Sequence, residues 1–320
     1  MAAQEYAPPG AVVGVVGLGK MGSGIAGSLL RAGFEVVVAD LRAEPVQRLV
    51  GAGAAAASDL PDLAARCDAI LVVVLDDAQV TGVVDGLAAT PARVRTIIVN
   101  STVLPETVQE LSARLAPAGI SLLDAPVSGG AEKSALGTLT ILVGGTEEEM
   151  RRCGPILDAL ADNVFHVGPV GAGSAGKLVN NVLALGSYVL QVEAMQLAEA
   201  YGITEDAAVG FITVSAGDSH GIQTWGRYDR LRRTHTLAGT PAMYDMLGKD
   251  LRAAAIAAGK RGVSLPITAT LGEVIGPKML ARDKVLDARG GLRPESLCPV
   301  CGQELAAPFL ESGRHPQCGP

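Results

Sequence analysis

The first half of the chain alternates between short, continuous apolar runs and segments with the spacing of amphipathic helices. The apolar runs occupy residues 11–16, 35–39, 54–57, 69–75, 96–100 and 120–123. Runs without a polar residue at every second position are typical of parallel strands that are buried on both faces. The helical segments between them, such as Glu44 to Gly51 and one capped by Ser58 that runs to about Arg66, predict a doubly wound parallel sheet of the α/β class.

The second half has a different pattern, and no convincing strand appears in it after Val167. One long helix is predicted from Ser174 to about Tyr201, followed by helical segments at residues 205–215, 240–260 and 266–287. We therefore expect a sheet domain, then a long helix, then an all-helical domain. With 320 residues, the chain is long enough for two domains.

Composition and charge narrow the classes of function. Apolar residues make up 48% of the chain and charged residues 18%, which favours a packed core over disorder. The net charge of −7, without a basic block, argues against nucleic acid as the main ligand. The first ten residues lack the pattern of a signal peptide, and the apolar run at 69–75 is too short to cross a bilayer, so we expect a cytoplasmic protein that does not bind membranes.

A glycine motif at the end of the first strand predicts a dinucleotide site. Gly17, Gly19 and Gly22 follow the strand in G-x-G-x-x-G spacing and open a helix. These glycines permit the tight turn, the approach of a pyrophosphate to the backbone and close packing of the helix on the sheet. Asp40 ends the second strand, where an acid accepts hydrogen bonds from the adenosine ribose. NAD is therefore the expected cofactor, and Arg42 leaves NADP open.

Other cofactor contacts are expected where neighbouring strands end. The carboxyl ends of parallel strands meet at one edge of the sheet, and ligands bind there. The candidate cofactor contacts on this edge are Gly17, Leu18, Gly19, Lys20, Met21, Gly22, Asp40, Leu75, Asp76, Ser101 and Thr102.

Two later motifs carry groups suited to a carboxylate substrate and a proton transfer. The first is the sequence DAPVSGG at residues 124–130, followed by GTL at 137–139. Its residues Ser128, Gly129 and Gly130 form a bent loop whose amide groups and hydroxyl suit a carboxylate. The second places Lys177 and Asn181 four residues apart in a predicted helix, so both side chains share one face.

These motifs, in this order, are specific to one family. GLGKMG at 17–22, DAPVSGG with GTL, then Gly171 and Gly173 before Lys177 and Asn181, then Lys249-Asp250, resemble the β-hydroxyacid dehydrogenases. That family includes 3-hydroxyisobutyrate dehydrogenase and tartronate semialdehyde reductase. The resemblance covers about residues 12–279.

The resemblance implies roles for the matching residues. Lys177 is the general acid in carbonyl reduction and the general base in alcohol oxidation, and Asn181 orients the substrate. Ser128, Gly129 and Gly130 bind the substrate carboxylate, with Lys177 and Asn181 also in contact with the substrate. Ser101 and Thr102 touch the nicotinamide end. Lys249 closes the site and contacts cofactor and substrate, with Asp250 as its local ion-pair partner.

The resemblance also implies the organisation of the chain. A Rossmann-type NAD-binding domain is expected over residues 1–173, and a helical domain for substrate binding and dimerisation over residues 174–290. Residues 291–320 form a short tail. The expected ligand is a small carboxylate, a β-hydroxy acid or its semialdehyde, and the expected assembly is a homo-oligomer, either a dimer or a tetramer.

Before the tail, which is the larger departure, the sequence departs from the family pattern in two places. Asp76-Asp77 stands where the loop after Leu75 usually carries a proline, and the stretch from Ser215 to Trp225 matches no pattern of the family. His220 and Trp225 either line the substrate pocket or pack between helices, and we favour packing. Two other functions stay open: an imine reductase of the same fold, and a catalytically silent cofactor-binding module that acts through its tail.

The tail has the spacing of a metal site. Cys298 and Cys301 form a C-x₂-C pair, and His315 and Cys318 follow as H-x₂-C. Three thiolates and one imidazole form a closed tetrahedral set, which predicts a structural zinc ion. The alternative is a tail with free thiols. Cys67 and Cys153 are isolated in the sequence and are expected to be buried, unreactive thiols.

Overall fold

The computed structural model describes residues 6–7, 10–89, 93–229 and 243–288, except for the side chains of residues 243–245. The chain divides into two compact units, residues 1–177 and residues 178–320. Each unit is described separately below.

The first unit is built on a sheet with nine strands among the described residues. The strands are β1 (Val12–Val16), β2 (Glu35–Ala39), β3 (Ala55–Ala56), β4 (Ala69–Val72), β5 (Thr96–Val99), β6 (Ser121–Asp124), β7 (Val127–Ser128), β8 (Leu139–Gly144) and β9 (Ala161–Gly168). Their order is β3-β2-β1-β4-β5-β6-β8-β7, and β9 pairs with β8. The strands from β1 to β6 are parallel to their neighbours, whereas β8 runs antiparallel to β6 and β7.

Seven α-helices lie wholly within the described part of this unit. They are α1 (Lys20–Arg31), α2 (Ala43–Gly51), α3 (Leu60–Arg66), α4 (Asp77–Ala88), α5 (Pro105–Leu115), α6 (Gly130–Leu136) and α7 (Glu147–Asp158). Alternate residues of the central strands belong to two different apolar clusters. Leu71 and Ile98 belong to one cluster, and Ile70 and Ile97 belong to the other. Because both faces of β4 and β5 are covered, every position of these strands is buried. All of these positions are apolar except Thr96.

The predicted Rossmann-type sheet is confirmed, with differences at its edges. Each of the six apolar runs coincides with one of the first six strands, but β4 ends at Val72 and not at Leu75, and β6 continues one residue further, to Asp124. The predicted cap of α3 was wrong by one residue: the Asp59 side chain accepts the Asp62 amide at 2.8 Å. The sequence reading also missed β7, β8 and β9, so the sheet is mixed and not wholly parallel.

The second unit is helical throughout its described residues. α8 (Ala172–Ala200) begins in the first unit and continues into the second, and it is followed by α9 (Glu205–Ile212), α10 (His220–Gln223), α11 (Met243–Lys260) and α12 (Pro266–Ala288). An apolar cluster that includes Val189, Leu251 and Met279 joins α8, α11 and α12. The predicted all-helical second half is therefore confirmed. No helix in the described residues is long and apolar enough to cross a membrane.

A buried arginine joins the elements of the helical unit. The Arg282 guanidinium, only 8% exposed, donates to both oxygens of Asp229 and to both oxygens of Glu205. It also lies 4.7 Å from the centroid of the Trp225 ring. Burial opposes the charge of Arg282, but the hydrogen bonds to Asp229 and Glu205 outweigh burial and raise its pKa. Trp225 donates to Glu205 at 2.8 Å, so it packs between helices, whereas His220 is exposed at the start of α10.

Candidate active site

The first glycine motif forms an open cradle at the N-terminus of α1. Gly17 has a φ of +87°, and a Cβ there would collide with the Val73 carbonyl oxygen. A Cβ on Gly22 would collide with the Gly17 carbonyl oxygen, so the turn and the helix need both glycines. Gly19, by contrast, faces open space within 4 Å, and no side chain caps the helix there. The amide groups of a helix N-terminus beside open space suit a pyrophosphate, so the residues present fit a dinucleotide.

Asp40 links this cradle to the end of β2. Its Oδ2 accepts the Leu18 amide at 2.6 Å, and its Oδ1 accepts the Arg42 amide at 2.9 Å and the Arg42 Nε at 3.1 Å. Burial would raise the pKa of this carboxyl, but the hydrogen bonds from Arg42 and Leu18 outweigh burial and hold the pKa below its usual value. Asp40 is therefore ionised at neutral pH, as a ribose-binding acid must be.

Hydrogen bonds of Ser101 join the segment after β5 to the end of β4. The Ser101 hydroxyl accepts the Val74 amide at 2.9 Å and donates to the Val72 carbonyl at 3.3 Å. Asp76 caps α4 by accepting the Gln79 amide at 2.9 Å, and the Leu75 amide donates to the Gln79 side chain. Ser101 and Asp76 thus shape the loops at this edge of the sheet, and Thr102 lies half-buried beside Ser101.

The Ser128–Gly130 loop leads into α6, which packs against α1. Gly129 and Gly130 have φ values of +135° and +79°, which side chains other than glycine rarely adopt. The α6 helix that follows brings Ser134 against α1, where its hydroxyl donates to the Met21 carbonyl at 2.7 Å. A Cβ on Gly24 would lie 2.5 Å from that hydroxyl oxygen. The helix α6, which begins at the end of the predicted carboxylate loop, is therefore in direct contact with α1 through Ser134.

Lys177 and Asn181 are both buried on α8, with exposed fractions of 9% and 5%. In the helical unit, the Asn181 Nδ2 donates to the Asp250 Oδ2 at 2.8 Å. The Asp250 Oδ1 lies 3.2 Å from the Lys249 Nζ. The expected ion pair of Lys249 and Asp250 is thus present. Sequence reasoning missed the second role of Asp250, which holds the Asn181 amide, because the two residues lie far apart in the chain.

A metal site is absent from the described part of the chain. No group of three or more His, Cys, Asp or Glu side chains among these residues could hold a metal ion. The predicted zinc ligands Cys298, Cys301, His315 and Cys318 lie outside the described residues. Cys67 and Cys153 are free and buried, as expected.

Comparison with known proteins gives relatives over most of the chain. Residues 12–168 match a family model described as the NAD binding domain of 6-phosphogluconate dehydrogenase. Residues 171–284 match one described as the NAD-binding of NADP-dependent 3-hydroxyisobutyrate dehydrogenase. An L-threonate dehydrogenase of Cupriavidus necator is 38% identical over 264 residues, which are 80% of this chain and 86% of the relative.

Two further proteins extend this likeness. A NAD-dependent L-serine dehydrogenase of Pseudomonas aeruginosa is 32% identical over 80% of this chain and 88% of its own. The crystal structure of a 3-hydroxyisobutyrate dehydrogenase from Salmonella typhimurium superposes with a TM-score of 0.70 at 32% identity, covering 94% of this chain and 99% of that one.

Proposed function

The chain belongs to the β-hydroxyacid dehydrogenase family, and we propose that it oxidises a small hydroxy acid, or reduces the matching semialdehyde, with Lys177 exchanging the proton at the substrate oxygen. The observation that carries this proposal is the burial of Lys177 and Asn181 on one face of α8. Burial of an amine or an amide group is unfavourable unless the group binds a polar partner, which can belong to the protein or to a ligand.

NAD is the proposed cofactor, and its nicotinamide accepts or supplies the hydride when it is bound. Gly17, Gly19 and Gly22 would hold the pyrophosphate, and Asp40 the adenosine ribose. The ionised Asp40 repels a 2′-phosphate, and Arg42 already donates to Asp40. Leu18, Lys20, Met21, Leu75, Asp76, Ser101, Thr102 and Lys249 complete the proposed set of cofactor contacts.

Lys177 is the proposed general acid and base at the substrate oxygen. In oxidation, its amine removes the hydroxyl proton of the substrate, and in reduction its ammonium returns the proton to the carbonyl oxygen. Ser128, Gly129 and Gly130 hold the substrate carboxylate. Asn181, fixed by Asp250, orients the reacting group, and Lys249 contacts substrate and cofactor.

Replacing the proposed acid–base residue tests this assignment. Lys177→Ala should lower kcat by about 100-fold or more, the usual scale for general acid–base catalysis, because the substrate oxygen loses its proton partner. The Kd for NADH, measured by fluorescence titration, should stay close to that of the wild type. Lys260→Ala, an exposed lysine at the end of α11, is the matched control and should leave kcat unchanged. A Lys177→Ala enzyme with wild-type kcat would show that another residue moves the proton.

An imine reductase is the alternative within the same fold. Solved imine reductases share the fold with this chain at 16–20% identity, a likeness that bears on fold alone. A panel containing L-threonate, L-serine, 3-hydroxyisobutyrate and a cyclic imine distinguishes the two activities by cofactor absorbance. A silent cofactor-binding module would turn over none of these compounds.

We propose that the protein forms a homo-oligomer through α8. A stripe of apolar side chains, each more than half exposed, follows one face of this helix: Val179, Leu183, Leu190 and Leu197. Tyr201, also more than half exposed, lies just beyond the end of the helix. Stripes of this length on soluble proteins usually mark an interface. Leu190→Glu should lower the molar mass measured by light scattering, whereas Val263→Glu, an exposed apolar residue away from the stripe, should not. An unchanged mass for Leu190→Glu would place any interface elsewhere.

A structural zinc ion held by Cys298, Cys301, His315 and Cys318 is a separate proposal, supported by their spacing alone. Elemental analysis of protein purified without added metal should give about one zinc per chain for this four-ligand set. Cys298→Ser should lower that content. Zinc-free wild-type protein with freely titratable tail thiols would refute the site.

A further inference from the structure

Asp124 is a buried carboxylate that none of the proposed chemical steps uses. It ends β6, and its side chain is fully buried. Its Oδ1 accepts the Gly171 amide at 2.8 Å, and its Oδ2 accepts the Ser174 amide at 2.6 Å. Both amides belong to the start of α8, where helix N–H groups lack partners within the helix. A residue of the sheet therefore caps the helix that carries Lys177.

This cap differs from the others in the described chain. Asp59, Asp76, Thr146, Thr204 and Ser219 cap helices from their own N-cap positions, within three residues of the amides they bind. Asp124 instead reaches across from a strand about fifty positions earlier. Burial raises the pKa of its carboxyl, so this arrangement is a less favourable way to cap a helix than a local side chain. What Asp124 adds is a fixed position of the helix relative to the sheet.

Three glycines allow the start of α8 to lie in close contact with the ends of β6 and β8. A Cβ on Gly144, the partner of Asp124 in the sheet, would collide with the Asp124 Oδ1. A Cβ on Gly173 would collide with the Asp124 carbonyl oxygen, and Gly171 has a φ of +95°. The first turn of α8 therefore lies directly against the ends of β6 and β8, with no room for a side chain in between.

Lys177 follows Ser174 by three residues, less than one turn of the helix. The DAPVSGG segment that leads to the proposed carboxylate loop starts at Asp124 itself. From this juxtaposition we infer that Asp124 is a positioning residue, whose carboxylate holds the start of α8 so that Lys177 stands at a fixed place relative to the Ser128–Gly130 loop. The inference rests on the proposed function of Lys177.

A double-mutant cycle of Asp124 and Lys177 tests the positioning role of Asp124. Asp124→Asn keeps the size of the side chain but leaves one acceptor oxygen for two amides. It should lower kcat by about 10- to 100-fold, the cost of displacing a catalytic group, with the Kd for NADH unchanged within error. In the Lys177→Ala background, Asp124→Asn should lower kcat by no more than about twofold, because groups that act as a unit are not additive. Asp59→Asn, the same change at a local cap on α3, should leave kcat unchanged.

The outcomes separate this inference from the proposed function. Wild-type kcat in Lys177→Ala overturns the proposed function, and the positioning role with it. A large loss in Lys177→Ala together with wild-type kcat in Asp124→Asn overturns the positioning role alone. An equal loss from Asp124→Asn in both backgrounds also overturns it, because the effect would then not pass through Lys177.

A second measurement uses the wild-type protein, in case Asp124→Asn does not fold. The Ser174 and Gly171 amides should exchange with deuterium at the slow rate of the central strands, because their hydrogen bonds to Asp124 are buried. Exchange as fast as that of exposed helix ends would overturn the inference, since a start of α8 that opens freely cannot hold Lys177 in place.

Discussion

At the scale of single residues, the Asp40 side chain has both a structural role and a proposed binding role. It fixes the glycine turn through the Leu18 amide, and it presents a carboxylate where the adenosine ribose is proposed to bind. Because its pKa lies below the usual value, its charge and its contribution to stability persist above about pH 4 and are lost only as the pH falls further.

This charge state leads to a prediction about cofactor choice. The wild type should use NAD with a kcat/KM at least about tenfold above that for NADP, a difference of about 1.4 kcal/mol. Asp40→Ser should narrow or reverse this ratio by removing the repulsion of a 2′-phosphate. Between pH 5 and 8 the Kd for NAD should not follow the titration of Asp40. Equal wild-type values for both cofactors would contradict the proposed role of Asp40.

The two buried thiols give a prediction of their own. Burial raises the pKa of Cys67 and of Cys153 to about 12, so almost none of either thiol is thiolate at neutral pH. Iodoacetamide should leave both unmodified in the folded protein and modify both after denaturation, as read by peptide mass spectrometry. Labelling of Cys67 or Cys153 at the rate of a free thiol in the native state would show that these sites open.

At the scale of elements, the contact of α1 and α6 depends on a glycine. Gly24→Ala should lower the free energy of unfolding by about 1–3 kcal/mol, because the new Cβ would press on Ser134 in a filled interior. Gly82→Ala in α4 is the matched control, since nothing lies within 4 Å of its Cβ position. It should stabilise by about 0.4–1 kcal/mol. Denaturant unfolding measures both, and the same sign for both variants would contradict the packing described.

The elements also show where sequence patterns carry information. The strands β1, β2, β4, β5 and β6 are buried along most of their length, so their sequences are mainly apolar runs that identify them. β7 has only two residues, and β9 is exposed along much of its length, at polar residues such as Asn163 and at apolar ones such as Phe165. Neither has a local pattern that distinguishes it from a loop, and the antiparallel direction of β8 is set by pairing with distant residues.

At the scale of the whole molecule, motifs in the right order predicted the family, the sheet domain and the helical half. The candidate residues could be named because glycines, Lys177 and Asn181 occur at diagnostic spacings. The roles of Asp124 and Asp250 could not be read in this way. Their partners lie about fifty and about seventy positions away, and no local spacing connects residues that only the folded chain brings together.

The most direct test of the central claim is a cofactor-absorbance assay of purified protein over a panel of small hydroxy acids and cyclic imines. For at least one hydroxy acid, the account predicts a kcat/KM of about 10⁴ M⁻¹ s⁻¹ or more with NAD, a usual value for an enzyme on its substrate. This activity should be lost in Lys177→Ala. Turnover of an imine but of no hydroxy acid, or hydroxy-acid oxidation that is undiminished in Lys177→Ala, would contradict the account.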